Sequence, residues 1–502
     1  MNTPPADRRF CFPRNASAIA GLALVLASGC SGQAERSAPP EVAAPSETGP
    51  VRITLDGDIG EWPAGMAAEA DGDYLYIRTS VDGPERTLQA MGDRTLELWI
   101  DADSDPATGV KEAKPRAAGG LGVDLEVRFS PLKDGTIGDG VAVSVPVSGG
   151  ERVRLGHADA GVMFLPTYAA HDYEIRLSRH MAEVPGGIAG GVLSGKGLAT
   201  LMLVMMDKAG TVKGWSDPFT VELPARSGAR PRTVMPLPGK GEEEIRVMTW
   251  NVLKSAPMSN PEPFARIIKA VGPDILLLQE WAEGDRAEIE GWLSEHVGGE
   301  WQVAKSKDGD VAVASRYRVD EVGADRIRLE ENRAVRFVAA RVGTPIGPVI
   351  AGSAHLKCCG SIGSDEDVRR LAEAGAINGV MKGVFDRMDG IRVIGGDMNL
   401  VGSRPPLDAL RAGLDGDGSD LDLVDAMVWG DRAAYTWSDA TNDFSPGRLD
   451  YLVVGESSAE VVGSFVVDLS LLSDSALLGM GVERGDAGAS DHLPVVVDLK
   501  GR

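Results

Sequence analysis

The chain has few cysteines and a shortage of basic side chains, and each shortage excludes a class of protein. Four cysteines in 502 residues cannot supply the disulfide framework on which small secreted domains depend. Lys and Arg number 51 against 74 Asp and Glu, so the net charge is −23, which argues against a protein that grips nucleic acid along an extended basic face. The length instead allows two or three soluble domains with a large buried core.

The N-terminus has the pattern of an export signal. Arg8 and Arg9 precede an apolar run over 16–27 that is too short to span a bilayer comfortably, and Cys30 follows it. The segment resembles a bacterial lipoprotein processing site, so we interpret 1–29 as a lipoprotein signal peptide. Cys30 then becomes the lipidated first residue, and the protein is exported and anchored in the bacterial outer membrane, facing the periplasm or the cell surface. The alternative is plain secretion after cleavage near Ala27.

Two further segments are defined by composition. Residues 30–50, rich in Ala, Pro, Ser and Glu, predict a disordered tether, and the Pro- and Gly-containing stretch 225–243 predicts a linker. Between them, short alternating strands separated by Gly, Asp and Pro predict an all-β sandwich over 51–224. The segments 55–62, 73–76 and 99–101 resemble exported sandwich modules related to sugar- or haem-binding domains, a resemblance that implies a glycan as a partner of this domain.

An acidic loop follows one of these predicted strands. Asp101, Asp103 and Asp105 alternate, and Glu112 stands at the twelfth position of the same loop. Oxygen ligands at alternate positions suit Ca²⁺, although Pro106 replaces the glycine that an EF-hand requires. The pattern therefore allows a calcium site or an ordinary acidic turn.

The second half of the chain alternates strand and helix patterns, which predicts α/β layers with function at strand ends. Polar residues follow its apolar runs in order along the chain, and His355 lies between the second and third groups. Carboxylates, carboxamides and imidazoles from separate strand ends are what a metal-dependent hydrolytic site requires. The groups are Thr249-Trp250-Asn251, Gln279-Glu280, Gly396-Asp397-Met398-Asn399, Arg448-Leu449-Asp450-Tyr451 and Ser490-Asp491-His492.

Taken jointly, these motifs resemble the endonuclease/exonuclease/phosphatase superfamily of metal-dependent phosphoesterases. The resemblance covers about residues 244–502 and implies a four-layer α/β/β/α sandwich, so the whole chain is expected to be of the α+β class. It also implies that Asn251 and Glu280 hold Mg²⁺, with Mn²⁺ as a substitute, and that Asp491 lies near the ion.

The same resemblance implies roles for five further residues. Asp397 activates or positions the attacking water, and Asn399 orients the phosphate. His492 contacts the scissile phosphate while Asp450 holds its tautomer, and His355 is a second histidine facing the phosphate. Whether Asp397 or His492 takes the proton from water stays open at this point, with Asp397 preferred.

Substrate choice and the two remaining cysteines are left open by the sequence. Cys358 and Cys359 allow a vicinal disulfide, free thiols or, least favoured, a metal site. The expected activity is hydrolysis of phosphate esters, most of all diesters, in nucleic acid, phospholipid or a small molecule. The alternative is a surface glycan-binding lipoprotein in which the phosphoesterase domain is not the main function.

Overall fold

The computed structural model describes residues 52–81, 86–112, 115–133, 136–147, 151–188, 190–228, 232–307, 309–323, 327–329 and 333–502. The predicted signal peptide (1–29), the tether (30–50) and Cys30 lie outside these residues and stay predictions. Within the described ranges, no helix has both the length and the apolar character needed to cross a membrane.

The N-terminal part is built almost entirely from short strands. Among the residues described in this part, the one α-helical segment is a single turn that ends at Gly161 in the left-handed conformation, which glycine adopts without a Cβ clash. The elements are β1 (Ala68–Ala70), β2 (Tyr74–Ser80), β3 (Arg94–Asp101), β4 (Leu125–Phe129), β5 (Leu132–Lys133), β6 (Thr136–Ile137), β7 (Val141–Pro146), β8 (Arg152–Leu155), α1 (His157–Ala160), β9 (Met163–Leu165), β10 (Asp172–Ser178), β11 (Gly197–Asp207), β12 (Val212–Trp215) and β13 (Phe219–Leu223).

These strands form two packed antiparallel sheets. One has the order β1-β2-β10-β9, and the other has the order β12-β11-β3-β4-β7-β8, with β13 paired to β11. Alternate side chains of β2, such as Leu75 and Ile77, meet Leu98 and Ile100 of β3 in one buried core, as the period of two in a strand requires. The predicted sandwich is therefore confirmed. At the start of the predicted sandwich, residues 52–54 form no regular strand, and Leu55 makes an isolated bridge to Ala433.

The C-terminal part alternates strands and helices. Its longest helix begins at the N-cap Ser364, whose side chain accepts a hydrogen bond from the backbone N–H of Asp367. The elements are β14 (Ile245–Asn251), α2 (Ala256–Ser259), α3 (Pro261–Val271), β15 (Ile275–Gln279), α4 (Arg286–Trp292), β16 (Gln302–Lys305), β17 (Ala312–Ser315), β18 (Val319–Val322), β19 (Arg336–Thr344), β20 (Gly347–His355), α5 (Asp365–Phe385), β21 (Ile391–Asp397), α6 (Pro405–Arg411), β22 (Asp422–Leu423), β23 (Asp450–Val454), β24 (Ala459–Val466), α7 (Asp474–Met480) and β25 (Val495–Gly501).

Two six-stranded sheets lie face to face between helical layers. Their orders are β16-β17-β15-β14-β25-β24 and β18-β19-β20-β21-β23-β22. Val247 and Leu277 point between the sheets towards Val393 and Leu452. The alternate residues of the first sheet pack on α3 and α4, and those of the second pack on α5 and α6. The α/β/β/α arrangement, and with it the α+β class of the chain, is confirmed.

The two parts contact each other through buried polar groups. Arg176 on β10 donates from both terminal nitrogens to the carboxylate of Asp431, at 2.6 and 2.8 Å, and both side chains are buried. In the stretch predicted as a linker, Thr233 bridges to Leu472 and Leu237 is buried against the C-terminal core. The boundaries drawn at 224 and 244 stay predictions, while the sheets on either side of them are separate.

Candidate active site

The site lies where the two central sheets end at the same edge. β14 and β15 are parallel, so Asn251, the last residue of β14, pairs with Gln279 and stands beside Glu280. β20 and β21 are also parallel and end on His355 and Asp397, which are register partners. Neighbouring parallel strands place their carboxyl ends at one edge, so residues distant in sequence meet there.

The second sheet extends this row by one more residue. Asp397 on β21 pairs in register with Asp450, the first residue of β23. Gly396 permits the close approach of β21 to β20. Its φ is 149°, and a Cβ added there would lie only 1.8 Å from the Ala354 carbonyl oxygen, so this position cannot hold a residue with a side chain. The glycine of the Gly-Asp-x-Asn motif therefore serves to bring the three residues His355, Asp397 and Asp450 side by side.

Asp397 stands at the centre of the group. Its side chain is buried, Asn251 Nδ2 donates to Asp397 Oδ2 at 3.1 Å, and the backbone N–H of Asn399 donates to Oδ1 at 3.0 Å. Nε2 of His355 lies 3.6 Å and Nε2 of His492 lies 3.8 Å from Asp397 Oδ2. A carboxylate held between an amide and two imidazoles is suited to positioning a water molecule and receiving its proton.

His492 and Asp450 form a buried pair. His492 Nδ1 lies 2.8 Å from Asp450 Oδ2, and the Thr436 hydroxyl donates to the same oxygen at 2.8 Å. Burial alone would lower the pKa of His492, but the carboxylates of Asp450, Asp397 and Asp491 raise it to about 10. The three carboxylates therefore favour the charged form of the imidazole, and its Nε2 faces Asp397 and the site.

His355 is held by a second polar pair. Asp310 Oδ2 lies 3.0 Å and Arg336 Nη1 lies 2.8 Å from His355 Nδ1, and Arg336 also donates to the carbonyl of Leu356 at 2.6 Å. Burial would raise the pKa of Asp310, but the hydrogen bond with His355 and the charge of Arg336 lower it. Asp310 is therefore the carboxylate that fixes the orientation of His355.

Glu280 and Asn251 are brought together as expected for a metal site. Asn251 Nδ2 lies 3.2 Å from Glu280 Oε1, and the backbone N–H of Lys254 donates to Glu280 Oε2 at 2.9 Å. Glu280 has a φ of 60° and Asn399 a φ of 50°, conformations that are uncommon for residues with a side chain and that cluster at functional sites. Asn399 Nδ2 donates to the Leu356 carbonyl at 3.2 Å.

Asp491 is held by a tryptophan that the sequence patterns did not single out. Trp437 Nε1 donates to Asp491 Oδ2 at 2.9 Å, and Asp491 Oδ1 is buried without a hydrogen-bond partner in the described structure. The Ser490 hydroxyl donates to the Asn251 carbonyl at 2.8 Å, which fastens this loop to the end of β14. Trp437 lies in an irregular segment after no periodic strand, so no local pattern distinguishes it.

A ligand-like cluster of one imidazole and two carboxylates overlaps these residues. Suitable atoms of Asp397, Asp450 and His492 lie within 4.8 Å of one another, so this region could hold a divalent cation. We interpret Asp450 and His492 as an ion pair rather than as metal ligands, because His492 Nδ1 and Asp450 Oδ2 are bonded to each other. The acidic residues around Asn251 remain the candidates for holding a cation.

Two other predictions concern residues outside this group. Cys358 and Cys359 are free, with their sulfur atoms 2.9 Å apart, and burial raises the pKa of Cys359 to about 11. Of the residues predicted to bind calcium, Asp101 and Asp103 come together, but their third partner is Asp124. Asp105, the third residue of the predicted set, does not belong to this cluster; its carboxylate accepts a hydrogen bond from the backbone N–H of Ala107 at 2.8 Å.

Comparison with known proteins places the site in context. Residues 248–492 match the model of the endonuclease/exonuclease/phosphatase family, a range that contains every residue of the group described above. No curated protein sequence matches the chain.

Solved structures are similar over about half of this chain. They include a 3'-5' exonuclease (NExo) from Neisseria meningitidis, with 20% identity over 51% of this chain and 100% of that one and a TM-score of 0.36. An AP endonuclease from Archaeoglobus fulgidus has 16% identity, covers 50% and 98%, and has a TM-score of 0.35. Sphingomyelinase C from Streptomyces griseocarneus has 16% identity, covers 51% and 99%, and has a TM-score of 0.35.

Proposed function

Residues 248–492 of this chain belong to the endonuclease/exonuclease/phosphatase family, and on that premise we propose that the protein is a magnesium-dependent hydrolase that cleaves phosphate diesters. The observation that carries the proposal is the buried Asp397 carboxylate, which Asn251 contacts and which two imidazoles flank. Hydrolysis of a phosphate ester needs an aligned water and groups that offset charge on the phosphoryl oxygens, and this arrangement offers both.

The residues present fit a hard divalent cation. Glu280 supplies a partly exposed carboxylate, Asn251 supplies an amide, and Asp491 supplies a buried carboxylate oxygen without a hydrogen-bond partner in the described structure. Magnesium prefers oxygen ligands and keeps several waters, so one or two carboxylates suffice. When bound, the ion would neutralise charge on the phosphoryl oxygens.

The surroundings of the two histidines and of Asp397 support a different role for each of these residues. His492 is assigned to binding a phosphoryl oxygen through Nε2, because Asp450 holds its Nδ1 and favours the charged form of the imidazole. Asp397 is then the group that accepts the proton of the attacking water. His355, held by Asp310, lies on the other side of Asp397 and is assigned to a second phosphoryl oxygen.

The substrate class follows from the charge of the chain. The composition is acidic, with a net charge of −23, and long nucleic acid requires an extended basic surface. The protein is therefore better suited to short or small phosphodiesters and to phospholipid headgroups than to long nucleic acid. Nucleic acid remains the competing substrate, and the assay below includes it.

The test uses the chain that follows Cys30, with bis-p-nitrophenyl phosphate, single-stranded DNA and sphingomyelin vesicles as substrates. We expect turnover with MgCl₂, loss of turnover with EDTA, and recovery when Mg²⁺ or Mn²⁺ is returned. Glu280→Ala and His492→Ala should each reduce kcat/KM by at least about 10³-fold, as expected for removal of a group that acts in the transition state. Wild-type turnover in either variant, or full activity in EDTA, would refute the assignment.

Two matched variants control for unspecific effects. Glu460→Ala removes an exposed carboxylate from an edge strand, and His296→Ala removes an imidazole from the outer helical layer. Both should retain activity within about twofold because neither residue contacts the site.

We also propose that the protein is exported and anchored through Cys30, on the strength of the sequence alone. Expression of the full chain in a bacterium with labelled palmitate should give a labelled, membrane-associated protein. Cys30→Ser should abolish the label and release the protein. Labelling that persists in Cys30→Ser would contradict the proposal.

A further inference from the structure

A second acidic cluster lies in the N-terminal sandwich, far in sequence from the proposed active site. Asp101 ends β3, Asp103 lies in the loop that follows, and Asp124 immediately precedes β4. Ile100 pairs with Leu125 in the antiparallel ladder, so Asp101 and Asp124 stand opposite each other where the two strands part. One carboxylate oxygen from each of the three aspartates lies within 4.8 Å of the others.

The buried state of Asp101 is the independent sign that this cluster takes a ligand. Asp101 is only 1% exposed. Its Oδ2 accepts a hydrogen bond from the backbone N–H of Gly122 at 3.0 Å, whereas its Oδ1 is buried without a hydrogen-bond partner in the described structure. A buried carboxylate oxygen with no donor is costly unless a cation or a proton lies against it. Asp103 and Asp124, whose carboxylates lie within 4.8 Å of that of Asp101, carry the same charge as Asp101.

The other two aspartates are incompletely neutralised as well. Asp124 is 6% exposed and receives one backbone donor, the N–H of Ala102, at 2.9 Å. Asp103 is exposed and receives the backbone N–H of Asp105 and the hydroxyl of Thr108. Burial raises the pKa of Asp124 to about 6 and also raises that of Asp101, and the neighbouring aspartates add to both shifts. Among the described residues, none of the three aspartates forms an ion pair with Lys or Arg.

We propose that Asp101, Asp103 and Asp124 bind one calcium ion that joins the two ends of the loop between β3 and β4. All the donors are oxygen atoms and no His or Cys contributes, which excludes a zinc-type site. Calcium accepts six to eight oxygens in irregular geometry, including carboxylates and water, whereas magnesium requires near-octahedral ligands and releases its waters reluctantly. Asp103 is exposed, which leaves the ion a path from solvent.

This ligand set differs from the one that the sequence pattern suggests. The alternating pattern would employ Asp105, but the third carboxylate that lies within 4.8 Å of Asp101 and Asp103 is that of Asp124, which immediately precedes β4. The ion is expected to hold the sandwich rather than to take part in hydrolysis, because the cluster belongs to the sheet of the N-terminal part.

The test is calcium titration of the chain that follows Cys30, stripped with chelator and then supplied with excess MgCl₂ to occupy any magnesium site. Isothermal titration calorimetry should show one calcium site with a Kd of about 10⁻⁴ M or tighter, at the strong end of extracellular calcium modules. Saturating CaCl₂ should raise Tm by about 3–8 °C. Asp101→Asn and Asp124→Asn should each abolish this binding, while Asp105→Asn, in the same loop, should retain it.

The stability of the variants distinguishes lost binding from failed folding. Asp101→Asn and Asp124→Asn each remove one of the clustered negative charges. Without calcium, each variant should therefore melt at or above the Tm of calcium-free wild type. Absence of calcium binding in wild type, binding that survives in both Asp101→Asn and Asp124→Asn, or binding that is lost in Asp105→Asn alone would each overturn the proposal.

Discussion

Replacement of Asp450 by Asn is the sharpest test of how the buried histidine pair acts. Asp450 Oδ2 accepts from both His492 Nδ1 and the Thr436 hydroxyl, whereas Asp450 Oδ1 is buried without a partner in the described structure. An asparagine either buries an unpaired N–H₂ at the Oδ1 position or turns that donor onto His492. The first choice leaves an unsatisfied donor, and the second selects the wrong tautomer.

The expected magnitude follows from the charge on His492. The carboxylates of Asp450, Asp397 and Asp491 together overcome burial to hold the pKa of His492 at about 10. Without the nearest of these charges, that pKa falls towards the ordinary value of 6.5, so most of the imidazolium is lost at pH 8. We expect kcat/KM to fall about 10²–10³-fold at that pH, which is about 2.7–4 kcal/mol of transition-state stabilisation.

The pH profile provides the decisive readout. In Asp450→Asn, activity should decline as pH rises through the lowered pKa of His492, so the deficit relative to wild type should be larger at pH 8.5 than at pH 6. Initial rates on bis-p-nitrophenyl phosphate measure it, and Asp422→Asn, on the exposed neighbouring strand β22, is the matched control. A loss below about threefold, or a deficit that does not change with pH, would refute the role given to the pair.

Three further predictions concern the support of the site and of the fold. Asp431→Asn leaves the buried Arg176 guanidinium without its charge partner and should lower the free energy of unfolding in urea by about 3–5 kcal/mol. The double variant Arg176→Met, Asp431→Leu should recover most of this loss, and an equal loss in both variants would contradict the prediction. Trp437→Phe removes the hydrogen-bond donor to Asp491, so it should raise the Mg²⁺ concentration for half-maximal activity about 10-fold while kcat at saturating Mg²⁺ changes little. An unchanged Mg²⁺ requirement would contradict this role of Trp437. Burial raises the pKa of Glu174 from 4.5 to about 8, so the folded state binds a proton that the unfolded state has released. The resulting stabilisation is complete below about pH 4.5 and is lost as pH rises through 8, and Glu174→Gln should flatten that slope in urea titrations at several pH values.

The strand-end residues were accessible to sequence reasoning because each follows a local pattern. Asn251, Glu280 and Asp397 each come directly after an apolar run, whereas the Ser-Asp-His motif comes directly before the apolar run of β25, and a buried strand is recognisable from such a run alone. Parallel order then places their ends at one edge without knowledge of the pairing. The layered fold was predictable for the same reason, since periodicity distinguishes strands from helices before any contact is known.

The partners of those residues belong to tertiary structure. Asp310 beside His355 and Trp437 beside Asp491 lie in irregular segments, where no periodicity indicates the direction of a side chain. Their contacts arise only when two sheets and a long loop pack against one another. The buried pair of Arg176 and Asp431 is of the same kind, because two parts of the chain must dock before the charges can meet.

The acidic loop shows the limit most clearly. Spacing along the chain determined that Asp101 and Asp103 would lie close together, since a turn brings alternate residues to one side. It could not distinguish Asp105, which accepts from its own turn, from Asp124, which immediately precedes the next strand. The sequence by itself determined the layered folds and the residue types at the strand ends. Only the register between strands and the packing of sheets decided which side chains face one another, because those depend on contacts between residues far apart in the chain.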